Sequence, residues 1–153
     1  MRRNDRLLSQ QEAYSILEKG EYGVLSTVSA DGIPYGLPIS YAYKEGAIYM
    51  HCAAADGLKI SNIKSNPNVS FTVVGNTKLL PDKFGTLYES VICFGTVKII
   101  EDNLEKREGI EAILHKYSAD YIESGMKFID GAINRIYVLK FTISEISGKG
   151  RKN

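Results

Sequence analysis

The sequence predicts an α+β fold in which six strands form a closed or partly closed antiparallel barrel. Short apolar runs follow one another at hairpin spacing, divided by turn residues. Helical periodicity is confined to the chain's ends and to one crossover. The 153 residues make about one domain, so residues 1–153 are read as one unit, without internal repeat or linker.

The elements follow in order. Ser9-Gln10-Gln11-Glu12 is a capping box, behind which Ala13, Ile16 and Leu17 recur at helical spacing until Gly20 stops the helix. Tyr22–Val28 reads as a strand, Asp31-Gly32 as its turn and Tyr35–Tyr43 as the hairpin partner. Lys44-Glu45-Gly46 turns the chain into a third strand, Ala47–Cys52. Leu58–Ser65 reads as a short helix ended by Asn66-Pro67, and Val69–Val74 returns to strand. A loop with Gly75, Pro81 and Gly85 precedes a long strand, Tyr88–Ile100, in which Gly95 marks a bulge or a barrel corner. Asp102 caps a helix with a buried stripe of Ile110, Ile113, Leu114 and Tyr117. Tyr121–Phe128 forms a short helix, Arg135–Ile146 alternates as the last strand, and residues 148–153 form a frayed tail.

Composition narrows the function classes. Hydrophobic residues make up 44% and charged residues 24%, ordinary globular usage that excludes a disordered chain. No stretch approaches the length of a membrane span. Nineteen basic residues nearly balance 18 acidic ones, and a net charge of +1 gives no footprint for nucleic acid or an anionic membrane. Arg2, Arg3 and Asp5 open a polar N-terminus without the apolar core of a signal peptide. Cys52 and Cys93 are too few for a disulfide framework and lack metal-ligand spacing; two buried thiols in a reducing cytoplasm are expected.

No phosphate-binding loop, dinucleotide fingerprint, nucleophile elbow or zinc motif occurs. With only His51 and His115, a multi-histidine metal site is excluded, and His115 is expected on a helix surface. The segment Tyr49–Ile60 is densest in signals. A strand ends at His51-Cys52, small residues Ala53-Ala54-Ala55 follow, and a helix opens after Gly57 with Lys59 in its first turn. Backbone N–H groups at a helix start, joined by a lysine, can receive a phosphate. An ordinary strand-to-helix turn with an exposed lysine accounts for the same residues.

Three blocks in register carry a family likeness. They are Ser26-Thr27-Val28, Asp31-Gly32 and Pro34-Tyr35 with Pro38-Ile39-Ser40-Tyr41; Tyr49-Met50-His51-Cys52-Ala53 with Gly57, Lys59, Asn66-Pro67 and Val69; and Tyr88, Ser90, Val91 and Gly95. On these the chain resembles the pyridoxamine 5′-phosphate oxidase-like FMN-binding split barrels, in the branch of nitroimidazole-resistance proteins. The resemblance implies an α+β fold, a six-stranded antiparallel split β-barrel with flanking helices, assembled as a homodimer with FMN at the subunit interface. Carried over by position, Pro38, Ile39, Ser40 and Tyr41 lie along the isoalloxazine and ribityl chain. His51 and Cys52 flank the ring, Ala53 belongs to the same cofactor-binding segment, Lys59 meets the phosphate, and Ser90 of the partner subunit adds a hydroxyl. The oxidases proper carry an arginine where this chain has Leu37 and a lysine where it has Ala42, which argues against pyridoxamine phosphate oxidase activity.

The resemblance implies an FMN-dependent oxidoreductase of nitroreductase or flavin-reductase type, with a small-molecule electron donor and acceptor. The acceptor class would be a nitro compound, a quinone or another flavin. His51 is the candidate catalytic residue, as a proton donor or an anion ligand; simple packing at a strand end is the alternative. A non-catalytic FMN-binding or electron-carrier protein is the second functional reading. A nucleic-acid module using tyrosines as stacking platforms is the third, and the near-neutral charge counts against it.

Overall fold

The computed structural model describes residues 4–152. Helix α1 (Gln10–Lys19) begins at the expected capping box: Ser9 Oγ accepts from the Glu12 N–H at 3.3 Å, and Glu12 accepts from the Ser9 N–H at 2.8 Å. Strands β1 (Gly23–Val28) and β2 (Pro34–Ile39) form the first hairpin, and β3 (Tyr41–Lys44) and β4 (Ala47–Ala53) the second. Glu45 and Gly46 both have positive φ, 50° and 82°, the backbone twist that a two-residue hairpin turn requires. Helix α2 (Leu58–Ser65) crosses to β5 (Asn68–Leu80), which pairs with β6 (Gly85–Ile99). Helices α3 (Asn103–Tyr117) and α4 (Ile122–Ala132) precede β7 (Ile136–Arg151). Asp102 caps α3, accepting from the Glu105 N–H at 2.8 Å.

The strands form one antiparallel sheet in the order β2-β1-β5-β6-β7-β4-β3. Seven strands replace the expected six because the predicted Tyr35–Tyr43 strand breaks at Ser40. Its first half pairs with β1 and its second half with β4, at opposite edges of the sheet. The sheet therefore curls until its two edges meet at one residue, joined by the chain and not by a strand ladder. This is a split barrel.

Two apolar layers result. Inside the barrel, Leu25, Tyr41, Ile48, Met50, Phe71, Val91, Leu139 and Phe141 pack with Leu17 of α1 and Ile60 of α2. Outside it, Ala42, Tyr49 and Val138 pack against Ile110 and Ile113 of α3 and Ile129 of α4. Helix α2 is keyed to the sheet by a buried polar pair. Asn62 Nδ2 donates to Thr27 Oγ1 at 3.0 Å, and Thr27 donates to the Tyr35 carbonyl at 3.3 Å.

Four expectations are corrected. The predicted loop after Val74 is strand: β5 and β6 stay paired out to Leu80 and Gly85 after a register shift between Val74 and Thr77. The tail is not frayed over Gly148–Arg151, which pairs with β6. Its glycine marks a close approach, since a Cβ on Gly148 would lie 3.0 Å from that of Ala13; Asn153 lies outside the described residues. Cys93 is fully buried, and burial pushes its thiol up to about 12, whereas Cys52 is only half-buried. Tyr117 does not lie in the buried stripe of α3; it is 41% exposed and spends its hydroxyl on the barrel seam. Among the described residues no helix is long and apolar enough to cross a membrane.

The expected bulge is present, with the β6–β7 register shifting between Phe94 and Gly95. A Cβ on Gly95 would sit 2.0 Å from the Thr142 carbonyl oxygen, so only glycine lets the strands close there. Gly95→Ala should destabilise the fold by about 1–3 kcal/mol, read as a lower urea midpoint. Gly131→Ala, in open space on α4, should be neutral or stabilising by roughly 0.5–1 kcal/mol. Equal midpoints for the two variants would remove the packing argument for the bulge.

Candidate functional site

The break at Ser40 determines which groups face outward. Tyr41 pairs with Met50, so Ser40 comes beside His51, and both line one groove on the outer side of the barrel. Residues alternate along β4. Ile48, Met50 and Cys52 contact the barrel interior, while Ala47 and Tyr49 join the outer layer, on the same face as His51. Beyond Ala53 the chain turns through Ala54, whose N–H donates to the Arg135 carbonyl at 3.0 Å, and enters α2 at Gly57. No side chain caps that helix start, and a Cβ on Gly57 would meet nothing. Lys59 lies in the first turn, close enough to act on the His51 imidazole. The nearby acid, Asp56, is paired with Lys64 at 2.8 Å.

Among the predicted site residues, the structure thus brings Ser40 and His51 together in one groove, with Lys59 near enough to act on His51; Ala53 follows on the His51 face of β4, and Pro38 is exposed on β2. Ile39 and Cys52 turn inward, packed on the core. Tyr41 is not available: its side chain is fully buried, its hydroxyl donates to the Leu17 carbonyl, and both its backbone polar groups face the Tyr117 hydroxyl. Ser90 pairs with Lys149, at the opposite end of β7 from the strand positions that flank His51. Within one chain it is remote from the other candidates.

Sequence reasoning missed Tyr117. Its hydroxyl accepts from the Tyr41 N–H at 3.0 Å and donates to the Glu21 carbonyl, with the Tyr41 carbonyl oxygen also at 3.0 Å. The end of α3 is thereby clasped onto the seam. Beside it Lys116 Nζ lies 3.7 Å from the centre of the Tyr41 ring and has no hydrogen-bond partner among the described residues. Burial pushes this ammonium down to about 8, and the ring face is its compensation. The sequence signal was a tyrosine at the last position of a helix, which apolar periodicity assigns to the core.

These features define a split-barrel protein with an outer groove at the barrel seam. Residues 9–150 match the family model for pyridoxamine 5′-phosphate oxidase, and the chain belongs to that family. No curated protein matches the sequence. Among solved structures, a candidate 5-nitroimidazole antibiotic resistance protein from Bacteroides thetaiotaomicron is 27% identical, with a TM-score of 0.79 over 94% of this chain and 86% of that one. A conserved hypothetical protein from Mycobacterium tuberculosis is 20% identical, with a TM-score of 0.81 over 96% of this chain and 88% of that one. An FAD-binding protein from Mesorhizobium loti is 24% identical, with a TM-score of 0.66 over 96% and 98% of the two chains. The last two likenesses speak for the fold.

Burial first, and the Lys59 ammonium second, hold the His51 imidazole below its ordinary value, although solvent still reaches the side chain. Both effects favour the neutral imidazole. The folded state takes up its proton less readily than the unfolded chain, so this group lowers stability as pH falls below its unfolded value of about 6.5. Titration of the ring by NMR should give a pKa below 6.5 for His51, and Lys59→Ala should raise it. A pKa unmoved by that substitution would separate the two side chains.

Proposed function

We propose that this chain binds FMN over the surface formed by Ser40, His51 and Lys59 and acts as an FMN-dependent oxidoreductase in the cytoplasm. Electrons would pass from a small-molecule donor to a small acceptor such as a nitro compound, a quinone or another flavin. The observation that carries this reading is the convergence of those three side chains, from β3's entry, β4 and α2, on one outer surface of a family barrel. Two similar structures are named as FAD-binding proteins, from Mesorhizobium loti and Mycobacterium smegmatis, and a third as an FAD and haem binding protein. Those names support a flavin.

The residues fit a flavin monophosphate. The first turn of α2 carries N–H groups that no side chain caps, a lysine stands in that turn, and Ala53–Ala55 leave room for close approach. Lys59 would hold the phosphate, and the exposed Pro38–Ser40 edge would offer backbone groups to the ring's polar rim. The flavin, when bound, supplies reversible uptake of electrons. Neutral His51 would stand at the side of the ring where an acceptor enters, able to hold a proton or give a hydrogen bond. The nearby carboxylate, Asp56, is spent on Lys64 and does not orient His51, which favours the second reading, a non-catalytic FMN carrier. Steady-state turnover with a reduced nicotinamide and an acceptor separates the two.

The purified protein should be yellow or quench FMN fluorescence at micromolar concentration. Lys59→Ala should weaken FMN by roughly tenfold or more, the worth of a desolvated charge-assisted contact. Riboflavin, which has no phosphate, should lose much less. A colourless chain without quenching would sink the flavin reading, and equal losses for both ligands would remove Lys59 from the phosphate.

A homodimer belongs to the same proposal. Ser90 lies on the outer face of β6 with Ile92 and Phe94, which are 39% and 49% exposed in the middle of a long strand, beside exposed Val74 of β5. A second copy on this face would cover these side chains and bring Ser90 of the partner subunit toward a shared flavin. Light scattering should give twice the 17.0 kDa of one chain, and Phe94→Glu should halve the mass and weaken FMN together. A wild-type monomer with FMN bound would overturn the shared site.

A further inference from the structure

The groove that begins at Ser40 and His51 does not end there. It runs between α3 and α4 for a volume of about 660 Å³. Ile113 and Leu114 of α3 form one wall, Gly125 and Ile129 of α4 the other, and Tyr121 and Phe128 stand at the lip. Gly125 is what lets the helices close at the bottom, since a Cβ there would lie 2.2 Å from Leu114 Cδ1. The outer end is tied by Arg107 of α3, whose guanidinium meets Asp130 of α4 at 2.6 Å.

Two properties of the lining select an occupant. No aspartate, glutamate, lysine or arginine is among the lining residues, and the only imidazole there, His51, is held toward its neutral form. Between the two helices a charged ligand would give up water for no counter-charge, since the Lys59 ammonium acts only at the His51 end, and that is costly. Tyr121 and Phe128 are 69% and 76% exposed, although α4 has an apolar face turned into the protein through Ile129 and Ala132. Exposed rings at the mouth of an apolar groove are stacking surfaces without a partner. Size and polarity agree with a small-molecule site: a few hundred Å³, mostly apolar, with polar groups from Ser40, His51, Ser118 and Ser124.

We propose that this α3–α4 groove binds a flat, uncharged aromatic molecule, the ring held by Tyr121 and Phe128 and its polar end directed at Ser40 and His51. The assignment of that molecule as the electron acceptor rests on the reading above; the binding itself does not. Tyr121 and Phe128 are then specificity-determining residues that touch the acceptor and not the flavin.

The test uses the protein with FMN added and two probes sharing one ring, nitrobenzene and 4-nitrobenzoate, followed by equilibrium dialysis. Nitrobenzene should bind roughly tenfold or more tightly than its anionic counterpart. Phe128→Ala should weaken nitrobenzene roughly three- to tenfold, while Phe128→Tyr restores it and FMN affinity changes by less than about twofold in both variants. Equal binding of the two probes overturns the proposal. So does a parallel loss of FMN in Phe128→Ala, which would give the groove to the flavin. A change of mass in Phe128→Ala by light scattering, with nitrobenzene binding intact, would mean that a second copy covers the groove. If FMN fails to bind the wild type while nitrobenzene binds and responds to Phe128, the flavin reading falls and the groove assignment stands.

Discussion

The break in the chain at Ser40 leaves two sheet edges side by side with no ladder between them, and the candidate groove is arranged around that gap. An open edge exposes backbone donors and acceptors that must find partners elsewhere. Here the partner is one phenol: the Tyr117 hydroxyl meets the N–H and carbonyl of Tyr41 and the carbonyl of Glu21. Tyr41 in turn donates its own hydroxyl to the Leu17 carbonyl. Its ring packs edge-on against Phe71, 4.9 Å between centres. Helices α1 and α3 are therefore both fastened to the residue next to the break. A seam without strand pairing is held closed from inside by Tyr41 and from outside by Tyr117.

That arrangement explains why the candidate site lies on the outer side of the barrel. The interior is filled by large apolar side chains, and Phe71, Met50 and Phe141 leave no accessible surface there. The candidate site therefore uses the seam's outer rim, where Ser40 is exposed and α2 begins close by. Lys59 reaches the rim because α2 is fixed in rotation by the Asn62–Thr27 pair, one helical turn further on. A buried amide–hydroxyl bond specifies orientation well, since a rotated helix would leave both groups unpaired.

Much of the fold was legible because local chemistry and tertiary structure agree. The Ser9 capping box, the Glu45-Gly46 turn, the Asp102 cap and the Gly95 bulge depend on short-range sterics and hydrogen bonds. The break at Ser40 was not legible. Tyr35 to Tyr43 keeps strand propensity, and the two halves differ only in which distant strand each joins. Pro34 and Pro38 were the available hint, since residues without an N–H suit an edge strand. Gly148 and Gly150 misled for a related reason. A glycine pair near a terminus reads as flexibility, yet Leu8 donates its N–H to the Gly148 carbonyl at 3.0 Å and packs on both. Of the candidate site, Ser40, His51 and Lys59 were legible through family spacing, while Tyr117 and the aromatic lip were not, because they act across elements far apart in sequence.

The parity of one strand decides what chemistry the groove contains. β4 is paired on both sides, with β3 through Tyr41↔Met50 and with β7 through His51↔Val138, and large side chains alternate along it. Met50 and Ile48 are held inside, so Tyr49 and His51 must face α3. A slip of one residue would send His51 into the barrel and bring the Cys52 thiol to the groove. Such a slip would also expose Met50 and bury a polar imidazole without a partner, both unfavourable. The core thus selects an imidazole over a thiol at the seam, with no contact from His51 itself contributing to the choice. The same packing that closes the barrel makes the groove a place of neutral hydrogen bonding, not one of nucleophilic sulfur chemistry.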